Sequence, residues 1–138
     1  MKVSNYRSSE FLEKYKKSPI SHPFVVFPAL LKIFRNVKNK KILDLGCGSG
    51  DFSQMLAEKG ANVVGVDISE KWIEICEERH ASSKNLKFLV ADGSNLKQIR
   101  NNTFDFVVMN MVLLNVPKKE TIKKSSRKFQ GFLKNQGN

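Results

Sequence analysis

Cysteine is scarce in this chain of 138 residues: Cys47 and Cys76 are the two thiols, far apart and without a CxxC spacing, so neither a disulfide framework nor a zinc site is suggested. Long apolar runs are missing too. The longest, Phe24 to Leu31, is interrupted by Pro28 and is too short to span a bilayer, and the N-terminus lacks a signal-peptide hydrophobic region. We therefore expect no membrane partner and a cytoplasmic protein. No GK[ST] occurs, which excludes a P-loop. With 41% apolar and 27% charged residues, the chain fits one globular domain of the soluble class.

Acidic residues are in deficit, but unevenly. Residues 1–41 carry a net +8, residues 42–116 a net −3 and residues 117–138 a net +6. Basic flanks can mark a nucleic-acid partner. Here, however, lysine outnumbers arginine nineteen to five, and no aromatic residue is interleaved with the charges in an RNA-binding pattern. A solvated surface ranks ahead of nucleic-acid binding.

What the chain does contain is an alternation. After residue 40, short β-branched runs ending in Asp or Asn alternate with segments of helical spacing: KILDLG (41–46), NVVGVD (62–67), LKFLVAD (86–92) and FDFVVMNMV (104–112). Nearly continuous apolar strands separated by helices predict an α/β fold with a parallel sheet buried on both faces. The first intervening helix should begin between Ser49 and Phe52, bury Phe52, Met55 and Leu56, and end at Gly60. The second should be capped by Ser69, with Trp72, Ile75, Cys76 and Arg79 as its stripe. Residues 94–102 read as a loop with a turn or two. A last helix, about 120–134, would align Ile122, Ser126, Phe129 and Leu133. The first 40 residues read as two helices, about 9–17 and 23–34, forming an N-terminal cap segment (1–40) before the ligand-binding domain (41–138).

Strand, glycine turn and helix is the arrangement that places a ligand at a helix N-terminus. In KILDLGCGSGDF the glycines are Gly46, Gly48 and Gly50, a GxGxG rather than the dinucleotide GxGxxG, with Asp51 directly after them. Cys47 sits inside the turn, where a small side chain is needed, and neither cysteine is expected to act as a nucleophile. Asp51 complements the helix dipole and would repel a pyrophosphate, and Asp44 adds a second negative charge. Two carboxylates at the cradle favour a cationic, phosphate-free ligand. S-adenosylmethionine, with an ammonium and a sulfonium, has that character.

ILDLGCGSG, VVGVDIS, LVADGSNL and FDFVVMNMVLLNV, in that order and spacing over residues 41 to about 116, resemble the class I S-adenosylmethionine-dependent methyltransferases. The resemblance implies a Rossmann-like three-layer sandwich with strand order 3-2-1-4. It also implies roles. Gly46, Cys47, Gly48 and Gly50 would let the backbone approach the methionine part, with Asp44 on its ammonium. Asp67 would accept the ribose hydroxyls, with Ile68 against the adenine. Asp92 would accept the adenine amino group, Gly93 would serve a ring nitrogen, and Asn110 would border the methyl group and the substrate. Asp67 taken alone also suits a nicotinamide dinucleotide; Asp92 and the GxGxG spacing tilt the choice.

A general base is needed only if the nucleophile must lose a proton. The weak candidates for a catalytic role are Asn110, His22 and Tyr15, while His80 reads as a surface group and no metal site is expected. The fourth strand ends in NMVLLN and lacks the Asn/Asp-Pro-Pro-aromatic signature of many nucleic-acid and protein amide methyltransferases, which points to a small-molecule substrate. The family's strands 5–7 are not found in this sequence. We therefore expect a shortened chain, with the fourth strand exposed for self-association or for a partner chain. Two alternatives accompany the small-molecule enzyme: a non-catalytic S-adenosylmethionine-binding or partner-completed module, and an RNA methyltransferase.

Overall fold

The computed structural model describes residues 27–92, 95–109, 127 and 129–134. The elements are α1 (Phe27–Phe34), β1 (Lys41–Leu45), α2 (Asp51–Glu58), β2 (Asn62–Asp67), α3 (Glu70–Arg79), β3 (Leu86–Val90) and β4 (Phe106–Val108). The strands form one sheet in the order β3-β2-β1-β4, and every pairing is parallel. This is the α/β, 3-2-1-4 arrangement that the resemblance implies. Among the described residues no helix is long and apolar enough to cross a membrane.

Both faces of the sheet are covered, which explains its unbroken apolar strands. Because successive strand residues point to opposite faces, Ile42 enters one cluster and Leu43 and Leu45 the other. The first cluster joins Ile42, Val63, Leu86 and Val108 to Phe52, Leu56 and Ala57 of α2 and to Phe27 of α1. The Phe27 and Phe52 rings meet at 5.0 Å between centroids, and Phe34 meets Phe106 at 5.1 Å. Helix α1 thus shares its core with the sheet. The second cluster places Leu96, Phe104, Phe129 and Phe132 against Leu43, Leu45 and Val66.

Several expected boundaries shift, each for a local reason. Strand β1 stops at Leu45 because Gly46 turns to a left-handed φ of 72° and its N–H donates to the Val66 carbonyl at 2.7 Å. On α3 the buried residues are Trp72, Ile73 and Cys76, while Arg79 is exposed. The helical repeat carries the Ser69 face through 72, 73 and 76, so Ile75 and Arg79 lie on its flank. Ser69 caps this helix as expected, its Oγ accepting from the Trp72 N–H at 3.4 Å. Gly60, with φ 86°, ends α2.

At the far edge the expected strand 104–112 shrinks to Phe106–Val108 among the described residues, and Phe104 instead forms an isolated parallel bridge with Leu133. The last helix is present at residues 127, 129 and 130, then gives way to a turn at Gly131 and Phe132 before the position expected. The Phe132 carbonyl accepts the N–H groups of Thr103 and Phe104, and Lys134 N–H donates to Phe104 O at 2.7 Å. Ile122 and Ser126 lie outside the described residues.

Candidate functional site

Parallel register brings the carboxyl ends of the strands to one edge. Leu45 pairs with Val66, Asp67 with Val90, and Asp44 with Val108, so the β1 turn, Asp67 and the segment after β3 share a rim. Over this rim runs the glycine turn, with Gly46, Gly48 and Gly50 all at positive φ. A side chain at Gly48 would meet nothing within 4 Å, so this glycine faces open space at the cradle. Gly50 has a different reason to be glycine: an added Cβ would lie 2.8 Å from the Phe88 ring and 3.0 Å from Cys76 Sγ. The same Phe88 ring lies across Gly65, so that glycine answers to a neighbouring strand's side chain rather than to a helix.

Asp44 is the buried charge of the site. It shares the face of Ile42, under α2, where Ser53 Oγ donates to its Oδ2 at 2.6 Å; both residues are almost wholly buried. Burial raises the Asp44 carboxyl to about 6, Ser53 opposes the rise, and the nearby Asp67 charge adds to it. Asp67 itself is pushed up by burial and held down by the N–H groups of Ser69, Gly48 and Ile68. Its Oδ1 accepts from Ser69 N–H at 2.9 Å and its Oδ2 from Gly48 N–H at 3.0 Å. Each carboxylate oxygen has a second lone pair, so these bonds orient Asp67 and leave capacity for a ligand hydroxyl. Among the described residues neither Asp44 nor Asp67 has an ion-pair partner.

Asp51 plays a part that the sequence reading did not foresee. Its carboxylate accepts from Ser49 Oγ at 2.6 Å and pairs with Arg79 of α3 at 3.1 Å. That partner offsets part of its charge and fastens the turn to α3. Two further contacts join the same elements: Cys76 Sγ donates to the Gly48 carbonyl at 3.0 Å, and His80 Nε2 lies 3.2 Å from the Ser49 carbonyl. His80 is therefore half-buried against the turn rather than a surface group. The adjoining Cys76 thiol, then burial, pushes the Cys47 thiol well above its ordinary value, which suits a packing role over a nucleophilic one.

Of the remaining candidates, Ile68 is half-buried and adjacent to Asp67, and Asp92 is exposed two residues beyond the end of β3. Gly93, Asn110, His22 and Tyr15 lie outside the described residues. Among the described residues no group of three or more His, Cys, Asp or Glu could hold a metal ion. A surface cavity of about 440 Å³, lined by Leu96, Lys97, Ile99, Arg127 and Phe132, belongs to the second cluster's side and shares no residue with the glycine turn. Ser53 was missed by the sequence reading. Its signal was a hydroxyl on the buried stripe of α2, one turn before Leu56 and Ala57.

Comparison with known proteins gives consistent relatives. A family model described as "Methyltransferase domain" matches residues 42–137. The ubiquinone biosynthesis O-methyltransferase of Hydrogenovibrio crunogenus is 30% identical over 111 residues, covering 80% of this chain and 44% of that protein. A demethylmenaquinone methyltransferase of Staphylococcus aureus is 36% identical over 83 residues, 58% of this chain and 34% of the relative. Among solved structures, a SAM-dependent methyltransferase of Methanosarcina mazei superposes with TM-score 0.67 at 32% identity, over 75% of this chain and 52% of that one. The chain thus spans about half, or less, of the length of these relatives.

Proposed function

The chain belongs to the methyltransferase-domain family, and from that premise we propose that its glycine turn holds S-adenosylmethionine for transfer of a methyl group to a small molecule. The observation that carries this reading is the buried Asp44 and the half-buried Asp67, neither with a cationic partner among the described residues, below a turn whose Gly48 faces open space. The buried Asp44 carboxylate beside the glycine turn would disfavour a pyrophosphate and attract an ammonium or sulfonium. The donor set therefore fits this cofactor better than a dinucleotide.

In this reading Asp67 takes the ribose hydroxyls, oriented by the Gly48 and Ser69 N–H groups. Asp44 takes the amino-acid ammonium, and Ile68 lies against the adenine. Asp92 and Gly93 serve the adenine edge, and Asn110 borders the acceptor. The cofactor supplies an electrophilic methyl on sulfur; the chain's task is alignment, since displacement at carbon depends mainly on the positions of nucleophile, methyl and leaving group. The relatives named for ubiquinone and demethylmenaquinone synthesis favour a small-molecule acceptor. Two adjoining free thiols suit a reducing, cytoplasmic setting.

Calorimetric titration with S-adenosylmethionine, S-adenosylhomocysteine and NAD tests the reading. We expect the first two to bind and NAD not to; binding of NAD alone overturns it. Asp67→Ala should weaken S-adenosylhomocysteine roughly 10- to 100-fold, the loss expected when hydrogen bonds to a charged group are removed. A second reading, a module completed by a partner chain, is favoured by one observation: among the described residues the three-residue β4 is the sheet's outer strand.

A further inference from the structure

Asp44 cannot orient itself. It sits at the buried end of β1 with its neighbours Ser53 on α2, Asp67 on β2, Cys47 in the turn and Val108 opposite it on β4; among the described residues none of these is a cation. Ser53 Oγ, on a fully buried residue, is the one hydrogen-bond donor to its side chain among them, at 2.6 Å.

We infer that Ser53 is a positioning residue for the cofactor's amino-acid end: its hydroxyl fixes the Asp44 carboxylate through Oδ2 and favours the ionised form that a ligand ammonium requires. The inference rests on the reading of the cradle as an S-adenosylmethionine site. The physical argument is one of alternatives. A hydroxyl that donates to a carboxylate stabilises its charge, whereas a methyl in the same place leaves a buried acid with desolvation and the Asp67 repulsion unopposed. Ser53 also stands on the helix that the glycine turn opens into, so the distance from turn to Asp44 and the orientation of Asp44 are set by the same element.

The test compares two ligands that differ at that end. S-adenosylhomocysteine carries the ammonium; 5′-methylthioadenosine keeps the adenine, ribose and sulfur but lacks the amino acid. Ser53→Ala should weaken S-adenosylhomocysteine at neutral pH by about tenfold or more while leaving methylthioadenosine within about twofold. It should also move the pH midpoint of S-adenosylhomocysteine affinity upward, and Ser53→Thr, which retains the hydroxyl, should restore both. If the alanine variant does not fold, Ser53→Cys, with a weaker donor, should show a smaller shift in the same direction. Equal losses for both ligands, no loss, or an unmoved midpoint would overturn the assignment while leaving the cofactor reading intact. Failure of the unaltered protein to bind S-adenosylhomocysteine would overturn both.

Discussion

Asp44 lies under Ser53 and beside Asp67, and burial pushes its carboxyl up to about 6 from an ordinary value of 3.8. An acid whose folded value is raised binds its proton more tightly folded than unfolded, so between these two values the fold loses stability as pH rises. A rise of about two units corresponds to roughly 3 kcal/mol for this buried group. On the proposed reading, affinity for a ligand ammonium should run the other way, since it requires the ionised form and gains as pH passes upward through that window. Asp44→Asn should therefore flatten both dependences, raising the stability of the ligand-free protein near pH 7 relative to the unaltered chain while weakening S-adenosylhomocysteine. Urea unfolding and calorimetry across pH 4–8 would show it; a variant whose stability retains the parent's pH slope would refute the assignment. Asp44 was legible as an acid at a strand end just before the glycine turn, a local property of the sequence, whereas its burial under Ser53 was not. The pairing of Asp51 was not legible: its partner Arg79 is 28 residues away, and nothing local in the sequence shows that α3 brings it within 3.1 Å.

Helix α2 carries the turn, and two kinds of contact hold it. Leu56 is fully buried among Ile42, Phe52 and Val63 in the first cluster, whereas the Arg79–Asp51 pair linking the turn to α3 has side chains 51% and 36% exposed. Burial should dominate, since exposed pairs contribute about 0–1 kcal/mol and core truncations cost about 2–5 kcal/mol. Leu56→Ala should accordingly lower unfolding stability several times more than Arg79→Ala does in urea titrations. Equal effects would mean that the latch to α3, not the sheet, sets the position of the turn. The helices of the α/β alternation were readable from periodicity and caps, as Ser69 and Gly60 illustrate. The face of α3 was read one step off, because Ile73 and Ile75 are both apolar and the expected stripe took Ile75, whereas the repeat from Ser69 carries Ile73 inside.

At the scale of the molecule, the sheet formed by the described residues has β3 at one edge and β4 at the other, and the β4 edge is met at its start by Leu133, bridged to Phe104. An outer strand with apolar Phe106, Val107 and Val108 is a template for further pairing. Sedimentation velocity of this 138-residue chain should show concentration-dependent association, and a Val107→Lys variant should reduce it; a monomer at all concentrations would dispose of that idea. The sequence by itself determined the parallel α/β sheet, the glycine turn and the acids at strand ends, because period-2 and helical spacing, glycine placement and the residues closing a strand are local properties. The tertiary structure alone decided how each acid is buried and partnered. Asp44 and Asp67 are brought to one rim by the β1–β2 pairing, the first buried and the second half-buried, Ser53 is set over Asp44 by α2, and Asp51 is paired with Arg79. A charge acts through its burial and its partners, and both are settled by residues far away along the chain.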